Sequence, residues 1–277
     1  MPQNYKFSKN TFMIHSLRYV LCTMRYREKV GKMKSFLITL GQLIFTLFMY
    51  LLGTIFFGIA LIPAVALVIK VWNITKSFNP LLHYMALGLS IACGYFLFGI
   101  TLIFLAGFTR MIFRLRLKEG TYPIFSIGAL KWAFISSLYL MINFTFIDFI
   151  LLTPFVNLLH RMLGAKLGKN VQINSKFVFD ATLLEIGDNT VVGGGAIIIC
   201  HVVERGKLKL RKVKIGKNVT LGSHCTIMPG CEIGDNAIIG AGAVLLKNTK
   251  VEPNSIYYGV PAKPVRHFKQ NKNNAQS

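Results

Sequence analysis

Hydrophobic positions fall into two regimes along this chain. From Phe36 to Ile69, and again from Leu81 to Phe108, apolar residues run on with no Asp, Glu, Lys or Arg. Each run exceeds the ~20 residues that cross a hydrocarbon core, so each predicts a membrane helix. The first is too long and starts too late for a cleavable signal peptide. Pro63 predicts a kink or an end in the first helix. A pair of buried core helices is the alternative, but a soluble chain this short could not cover both. A third apolar stretch, Trp132 to Leu159, holds Asp148 as its only charge and Pro154 near its end. It reads as a re-entrant or interfacial helix pair over about 124–159 rather than a third full span.

Beyond residue 160 the period changes to six. Ile215, Leu221, Ile227, Ile233, Ile239, Leu245, Val251 and Tyr257 mark the same phase. Gly216, Gly222, Gly234 and Gly240 follow four of these anchors, and small or β-branched residues stand four places on (Val219, Cys225, Cys231, Ala237, Ala243, Thr249, Ser255). The phase also appears at Leu167, Ile173 and Phe179, slips by one, and resumes at Ile186, Val192 and Ile198. Six matches neither an α-helix nor a long amphipathic strand. It predicts short strands joined by regular turns and stacked at ~4.8 Å, with anchors and small residues facing inward. Cys225 and Cys231 therefore read as packing. The break from Cys200 to Lys214 is polar and basic, and reads as a loop extruded from the stack, where function often resides.

Charge refines the picture. Only 15% of the 277 residues are charged, and the formal net charge is +22, from 32 Lys+Arg against 10 Asp+Glu. The basic residues before the first span (Lys6, Lys9, Arg18, Arg25, Arg27, Lys29, Lys32, Lys34) suit anionic lipid headgroups. Arg110, Arg114, Arg116 and Lys118 follow the second span, whereas the intervening loop offers only Lys70 and Lys76. Both flanks are then cytoplasmic, and so is the repeat region. No nucleic-acid motif is present. The cysteines (Cys22, Cys93, Cys200, Cys225, Cys231) form neither a zinc pattern nor a disulfide framework. The organisation expected is a basic tail over 1–35, a membrane domain over 36–159, a repeat domain over 160–266, and a disordered tail over 267–277.

The segments Ile-Gly-Lys-Asn-Val-Thr-Leu-Gly-Ser-His (215–224), Ile-Gly-Asp-Asn-Ala-Ile-Ile-Gly-Ala-Gly-Ala-Val (233–244) and Gly-Val-Pro-Ala-Lys-Pro-Val-Arg (259–266) resemble the hexapeptide-repeat acyltransferase family. The resemblance implies a left-handed parallel β-helix, a homotrimer, and acyl-CoA bound in grooves between subunits. More narrowly, Arg116–Ser126, Leu130–Trp132 and Met162–Val171 look like the C-terminal membrane module of Pls/PosA-type nonribosomal peptide synthetases. This chain would be a stand-alone version without adenylation or carrier domains.

Transfer from a thioester needs a base for the acceptor and donors for the oxyanion. By resemblance, His201 matches the catalytic histidine of maltose- and galactoside-type acetyltransferases. Glu204, three residues on, could orient the imidazole as a triad carboxylate does, or pair with nearby cations. Ser223 and Ala241 match main-chain contacts to the acyl-pantetheine arm. Lys247, Lys263 and Arg266 match cations near the CoA phosphates. The expected enzyme moves an acetyl or short acyl group to a hydroxyl or amine on a membrane-associated or amphipathic acceptor. Two rivals remain: a non-catalytic trimeric scaffold, and a γ-carbonic-anhydrase-like zinc protein using His201, His224 and His267. The histidine spacing fits the latter poorly, and no metal is expected.

Overall fold

The computed structural model describes residues 32–267, with side chains from 38 to 265. The basic residues before position 32, Cys22, and the expected tail from 268 onward lie outside the described residues. The chain falls into two compact units, residues 1–51 and 52–277.

Helix α1 (Lys32–Thr75) has 44 residues and α2 (Pro80–Ile112) has 33. Pro63 lies inside α1 and does not end it. A proline removes one backbone hydrogen bond but leaves the flanking apolar turns intact. Asn79 starts α2 by accepting from the Leu81 N–H at 2.9 Å, with Pro80 in the first turn, where its missing N–H costs nothing. Within the second unit the two helices pack as an antiparallel hairpin. Gly94 abuts Ala64, the rings of Phe57 and Phe98 lie 5.8 Å apart, and Trp72 meets His83 edge-on at 4.9 Å. The outer surface of α2 is apolar and uncovered: Leu89 is 68% exposed and Ile91 62%.

After α2 come strand β1 (Gly120–Pro123), helix α3 (Ile127–Thr145), a 3-10 turn (Ile147–Phe149) and the short amphipathic helix α4 (Pro154–Met162). The apolar stretch predicted as a helix pair is therefore α3 and α4. Among the described residues, three helices are long and apolar enough to cross a membrane: Ile38–Thr75, Pro80–Ile112 and Ile127–Thr145. The third is also fastened to the repeat region. Tyr139 Oη and Asn143 Nδ2 both donate to the Lys176 carbonyl, at 2.8 and 3.1 Å. Helix α4 runs alongside α2 in the same direction. Phe146 and Phe149, just before it, sit by Gly99 and Tyr95, and Met162, its last residue, sits against Gly107. A Cβ at Gly99 would fall 2.2 Å from the Phe146 ring, so only glycine admits this approach.

The repeat region contains β2 (Lys166–Leu167), β3 (Gln172–Ile173), β4 (Leu184–Ile186), β5 (Val191–Val192), β6 (Ile197–Ile198), β7 (His201–Glu204), β8 (Lys207–Leu210), β9 (Val213–Ile215), β10 (Thr220–Leu221), β11 (Thr226–Ile227), β12 (Glu232–Ile233), β13 (Ile238–Ile239), β14 (Val244–Leu245), β15 (Lys250–Val251), β16 (Ser255–Tyr258) and β17 (Lys263–His267). Successive strands visit three parallel sheets in turn: β2-β4-β9-β12-β15, β3-β5-β10-β13-β16, and β6-β11-β14. Strand β17 folds back antiparallel onto β16. The period-six anchors fill the interior, with Leu221, Ile227, Ile239 and Leu245 fully buried. So are the small positions Val219, Cys225, Cys231, Ala237 and Ala243.

One corner of the stack carries an asparagine ladder. Asn170, Asn189, Asn218, Asn236 and Asn254 all adopt left-handed backbone angles, φ 53 to 59°. Each side-chain amide donates to the next asparagine's oxygen at 3.0–3.2 Å. Asparagine tolerates this region because its short polar side chain bonds locally. The rungs also measure the coils. They are 18 residues apart in the regular part. The spacing is 19 across the one-residue slip between Phe179 and Ile186, and 29 across the Cys200–Lys214 insertion.

That insertion is not a free loop, as its polar sequence suggested. It folds as an antiparallel hairpin, β7 with β8, turning at Arg205–Gly206 with φ of 49 and 73°. Two central residues at positive φ are the requirement of a type I′ turn, whose twist matches that of paired strands. Strand β1 adds a third antiparallel strand to β8. Glu119 Oε1 accepts from the Lys212 N–H at 2.9 Å and fastens the same edge. Alternation of apolar residues in β8 is what buries Leu208 and Leu210 beneath this small sheet.

Candidate functional site

His201 is the first residue of the hairpin, where the chain leaves the stack after β6. Its Nδ1 lies 2.6 Å from Asp180 Oδ2. An ionised carboxylate only accepts, so Nδ1 carries the proton and Nε2 is left as the basic nitrogen. The histidine side chain is 26% exposed and the carboxylate is wholly covered. Asp180 itself adopts a left-handed conformation, φ 57°, ahead of the 3-10 turn Ala181–Leu183. Its remaining lone pairs are filled: Oδ1 accepts from Trp132 Nε1 at 2.8 Å, and Oδ2 also accepts from the Cys200 N–H at 3.1 Å.

Burial alone would raise the Asp180 pKa, but the charge and hydrogen bond of His201, then the bonds from Trp132 and Cys200, hold it below the usual carboxylate value. Burial likewise pulls His201 down, and the Asp180 charge and hydrogen bond outweigh it, so the imidazole pKa is raised. A buried acid orienting a partly exposed imidazole is the arrangement of a general base whose proton acceptor is fixed in direction.

Glu204 does not perform that role. Residues three apart on a strand face opposite sides, and Glu204 pairs instead with Lys209, at 3.0 Å, and with Lys247. Lys247 first and then Lys209 hold its carboxyl below the usual range. The carboxylate that sequence reasoning missed, Asp180, is 21 residues upstream of His201. Its signal was available: it is the acid that directly follows the apolar run Phe177-Val178-Phe179, at the one-residue slip in phase.

The other expected residues occupy two corners of the stack. Ser223 and Ala241 are exposed on the corner between the β10 and β11 sheets. They are adjacent rungs, since the Gly242 N–H donates to the Ser223 carbonyl at 2.9 Å. Small residues make this possible: a Cβ at Gly222 would lie 2.5 Å from the Ala241 nitrogen. His201 and Lys247 lie on the next corner, so the face β6-β11-β14 separates them from Ser223 and Ala241. Lys263 is exposed at the start of β17. Arg266 pairs through its backbone with Ile256, and its side chain lies outside the described residues, as does that of His267. His224 stacks under Gly195. Among the described residues no group of His, Cys, Asp and Glu is assembled as a metal site.

Comparison with known proteins adds the following. Residues 212–247 match the family model described as bacterial transferase hexapeptide (six repeats). The Delta-poly-L-ornithine synthetase of Acinetobacter baumannii (strain AB307-0294) is 25% identical over 165 residues, 57% of this chain. Those residues cover only 12% of the synthetase. Among solved structures, a maltose O-acetyltransferase from Clostridium difficile 630 is 29% identical, with a TM-score of 0.36 over 39% of this chain and 62% of its own. A galactoside acetyltransferase in complex with coenzyme A is 28% identical, with a TM-score of 0.34 over 39% of this chain and 68% of its own.

Proposed function

We propose that this protein is a CoA-dependent acyltransferase of the hexapeptide-repeat type, anchored in a membrane by the α1–α2 hairpin. The observation that carries the reading is the Asp180–His201 pair, held at the edge of a repeat stack whose sequence matches the bacterial transferase hexapeptide model. The repeat domain, residues 160–266, is a left-handed parallel β-helix that trimerises. Ser223 and Ala241 stand on a different corner from His201, which suits a site shared by neighbouring subunits. The pantetheine arm runs along the main chain at Ser223 and Ala241, while Lys263 and Arg266 hold the CoA phosphates. Lys247 joins them by exchanging Glu204 for phosphate.

In the reaction, the acceptor hydroxyl or amine loses its proton to His201 Nε2 as its lone pair attacks the thioester carbonyl carbon. Asp180 stabilises the imidazolium that results. The tetrahedral adduct then collapses, the carbon–sulfur bond breaks, and the imidazolium returns its proton to the departing sulfur. No acyl-enzyme forms. The donor is acetyl-CoA or another short acyl-CoA.

The uncovered apolar surfaces of α1 and α2 call for lipid, since water does not tolerate so large a continuous apolar face. The basic residues flanking the hairpin put both its ends and the repeat domain on the cytoplasmic side. Helix α3, bonded to the repeat domain along one face, lies at the membrane surface. The acceptor is accordingly membrane-associated or amphipathic. Kinship with the membrane module of nonribosomal peptide synthetases is part of the proposal and rests on the segments 116–126, 130–132 and 162–171 of the sequence.

Thermal unfolding of the detergent-solubilised protein tests this directly. Acetyl-CoA at one hundred times its dissociation constant should stabilise it by ~2.7 kcal/mol. Lys263→Ala and Arg266→Ala should weaken the shift, and His201→Ala should leave it intact while abolishing transfer. A folded trimer that shows no shift at millimolar acetyl-CoA would overturn the reading in favour of a scaffold.

A further inference from the structure

The Asp180–His201 pair is not built by the repeat stack alone. Trp132, on α3, contributes two contacts from the apolar half of the chain. Its indole N–H donates to Asp180 Oδ1 at 2.8 Å, and its ring lies over the His201 imidazole with centroids 4.8 Å apart, tilted by 56°. The carboxylate has no exposure through which water could replace that donor. Helix α3 is in turn fixed against the stack by Tyr139 and Asn143.

We infer that Trp132 is a positioning residue for acyl transfer: it fixes the Asp180 carboxylate and the plane of His201, so that Nε2 points at the acceptor. The inference rests on the acyltransferase reading for its kinetic consequence, not for its geometry. Asp180 has two oxygens. With Oδ1 claimed by the indole and Oδ2 by the Cys200 N–H, the carboxylate cannot rotate about its Cβ–Cγ bond without losing both bonds. A fixed Oδ2 fixes Nδ1, and the overlying indole removes the remaining freedom, rotation of the imidazole about its own bond to Oδ2. The active centre is thus completed by a residue from the membrane half, and the base is aligned only while α3 is docked. The charge that bears on His201 is that of Asp180.

The test uses the full chain in detergent micelles, with two independent readouts. Deuterium exchange at C2 of histidine, followed by peptide mass spectrometry, gives the protonation midpoint of His201 without any acceptor. In the wild type the midpoint should lie above the ordinary histidine value. In Trp132→Phe, which keeps a ring but loses the N–H, it should fall back toward that value as the pair loses its alignment. An unchanged midpoint overturns the inference. The second readout is release of the CoA thiol from acetyl-CoA, with water as acceptor. Trp132→Phe should lower kcat about tenfold or more, the usual effect of losing a hydrogen bond to a charged group, with KM for acetyl-CoA held within about twofold. Equal kcat values also overturn it. Should the wild type release no thiol, water is not an acceptor and the exchange midpoints alone decide on Trp132, while the acyltransferase reading stands or falls on the acetyl-CoA thermal shift. Should Trp132→Phe fail to fold, emission from Trp132 in a Trp72→Phe protein decides instead. Protonated imidazole quenches an adjacent indole, so emission should drop as His201 protonates and lose that step in His201→Gln; no step overturns the inference.

Discussion

Asp180 and His201 meet across consecutive coils, each held by backbone features that look unremarkable in isolation. The consequence for acid–base behaviour has a definite sign. His201 must be neutral to accept a proton, and its pKa is raised. Turnover should therefore climb with pH through a midpoint above the ordinary histidine value, and Asp180→Asn should move that midpoint down while cutting kcat. A pH–rate profile of acetyl-CoA consumption checks both. The same elevation contributes stability that is fully present below the unfolded histidine pKa and lost as pH rises through the folded one. His160 acts in the opposite sense. It is wholly buried, neither ring nitrogen has a partner, and burial pushes it down to about 4. The unfolded chain takes up that proton first, so stability should decline by roughly 3 kcal/mol between about pH 6.5 and pH 4. Replacing it by leucine should flatten that decline in urea titrations at a series of pH values. Reading the residues found His201 and weighed only Glu204 as its carboxylate, against a pairing of Glu204 with nearby cations, because nearness in sequence stood in for nearness in space. In a stacked architecture the neighbour that matters is one coil away, and only the slip in phase at Asp180 hints at it.

At the scale of elements, the period-six pattern was legible because every inward position obeys the same steric rule. The asparagine ladder was not, since its rungs show themselves only once the coil length is known. Its central rung, Asn218, bonds to Asn189 below and Asn236 above. Asn218→Ala removes both bonds and the local side-chain bonding that lets asparagine tolerate the left-handed region, and should destabilise by about 2 kcal/mol. Asn218→Gly restores backbone freedom and should recover about half of that loss, as read from denaturant midpoints. The hairpin β7–β8 escaped sequence reasoning for a different reason. Its basic composition suggested an extruded loop, whereas its third strand, β1, comes from a segment whose short Gly-Thr-Tyr-Pro sequence carries no strand periodicity.

For the whole molecule, the hairpin of α1 and α2 sets the topology. Its turn, at residues 76–79, and its two outer ends belong on opposite faces of the bilayer if the hairpin spans it. In a background without the native cysteines, Ser277→Cys should react with a membrane-impermeant maleimide only from the cytoplasmic side, and Ser77→Cys only from the other. Labelling of both from one side would mean that the hairpin lies on the surface. The apolar runs predicted these two long helices from sequence alone. What they concealed is that α3 faces two ways, its apolar length matching a span while Trp132, Tyr139 and Asn143 reach into the repeat region. Periodicity does not separate lipid from protein as the partner of an apolar face.

Strand β1 and the insertion it completes are far apart in time as well as in sequence. Glu119 and Lys212 are separated by 93 residues. During synthesis β1 leaves the ribosome first and waits as an unpaired edge until the strands β2 to β6 and the hairpin have been made. Closing so long a connection is slow compared with stacking one coil on the next. The first coils therefore stack before β1 closes on β8, so a nascent chain passes through a stage in which the repeat has begun to assemble while the edge of the insertion is still open.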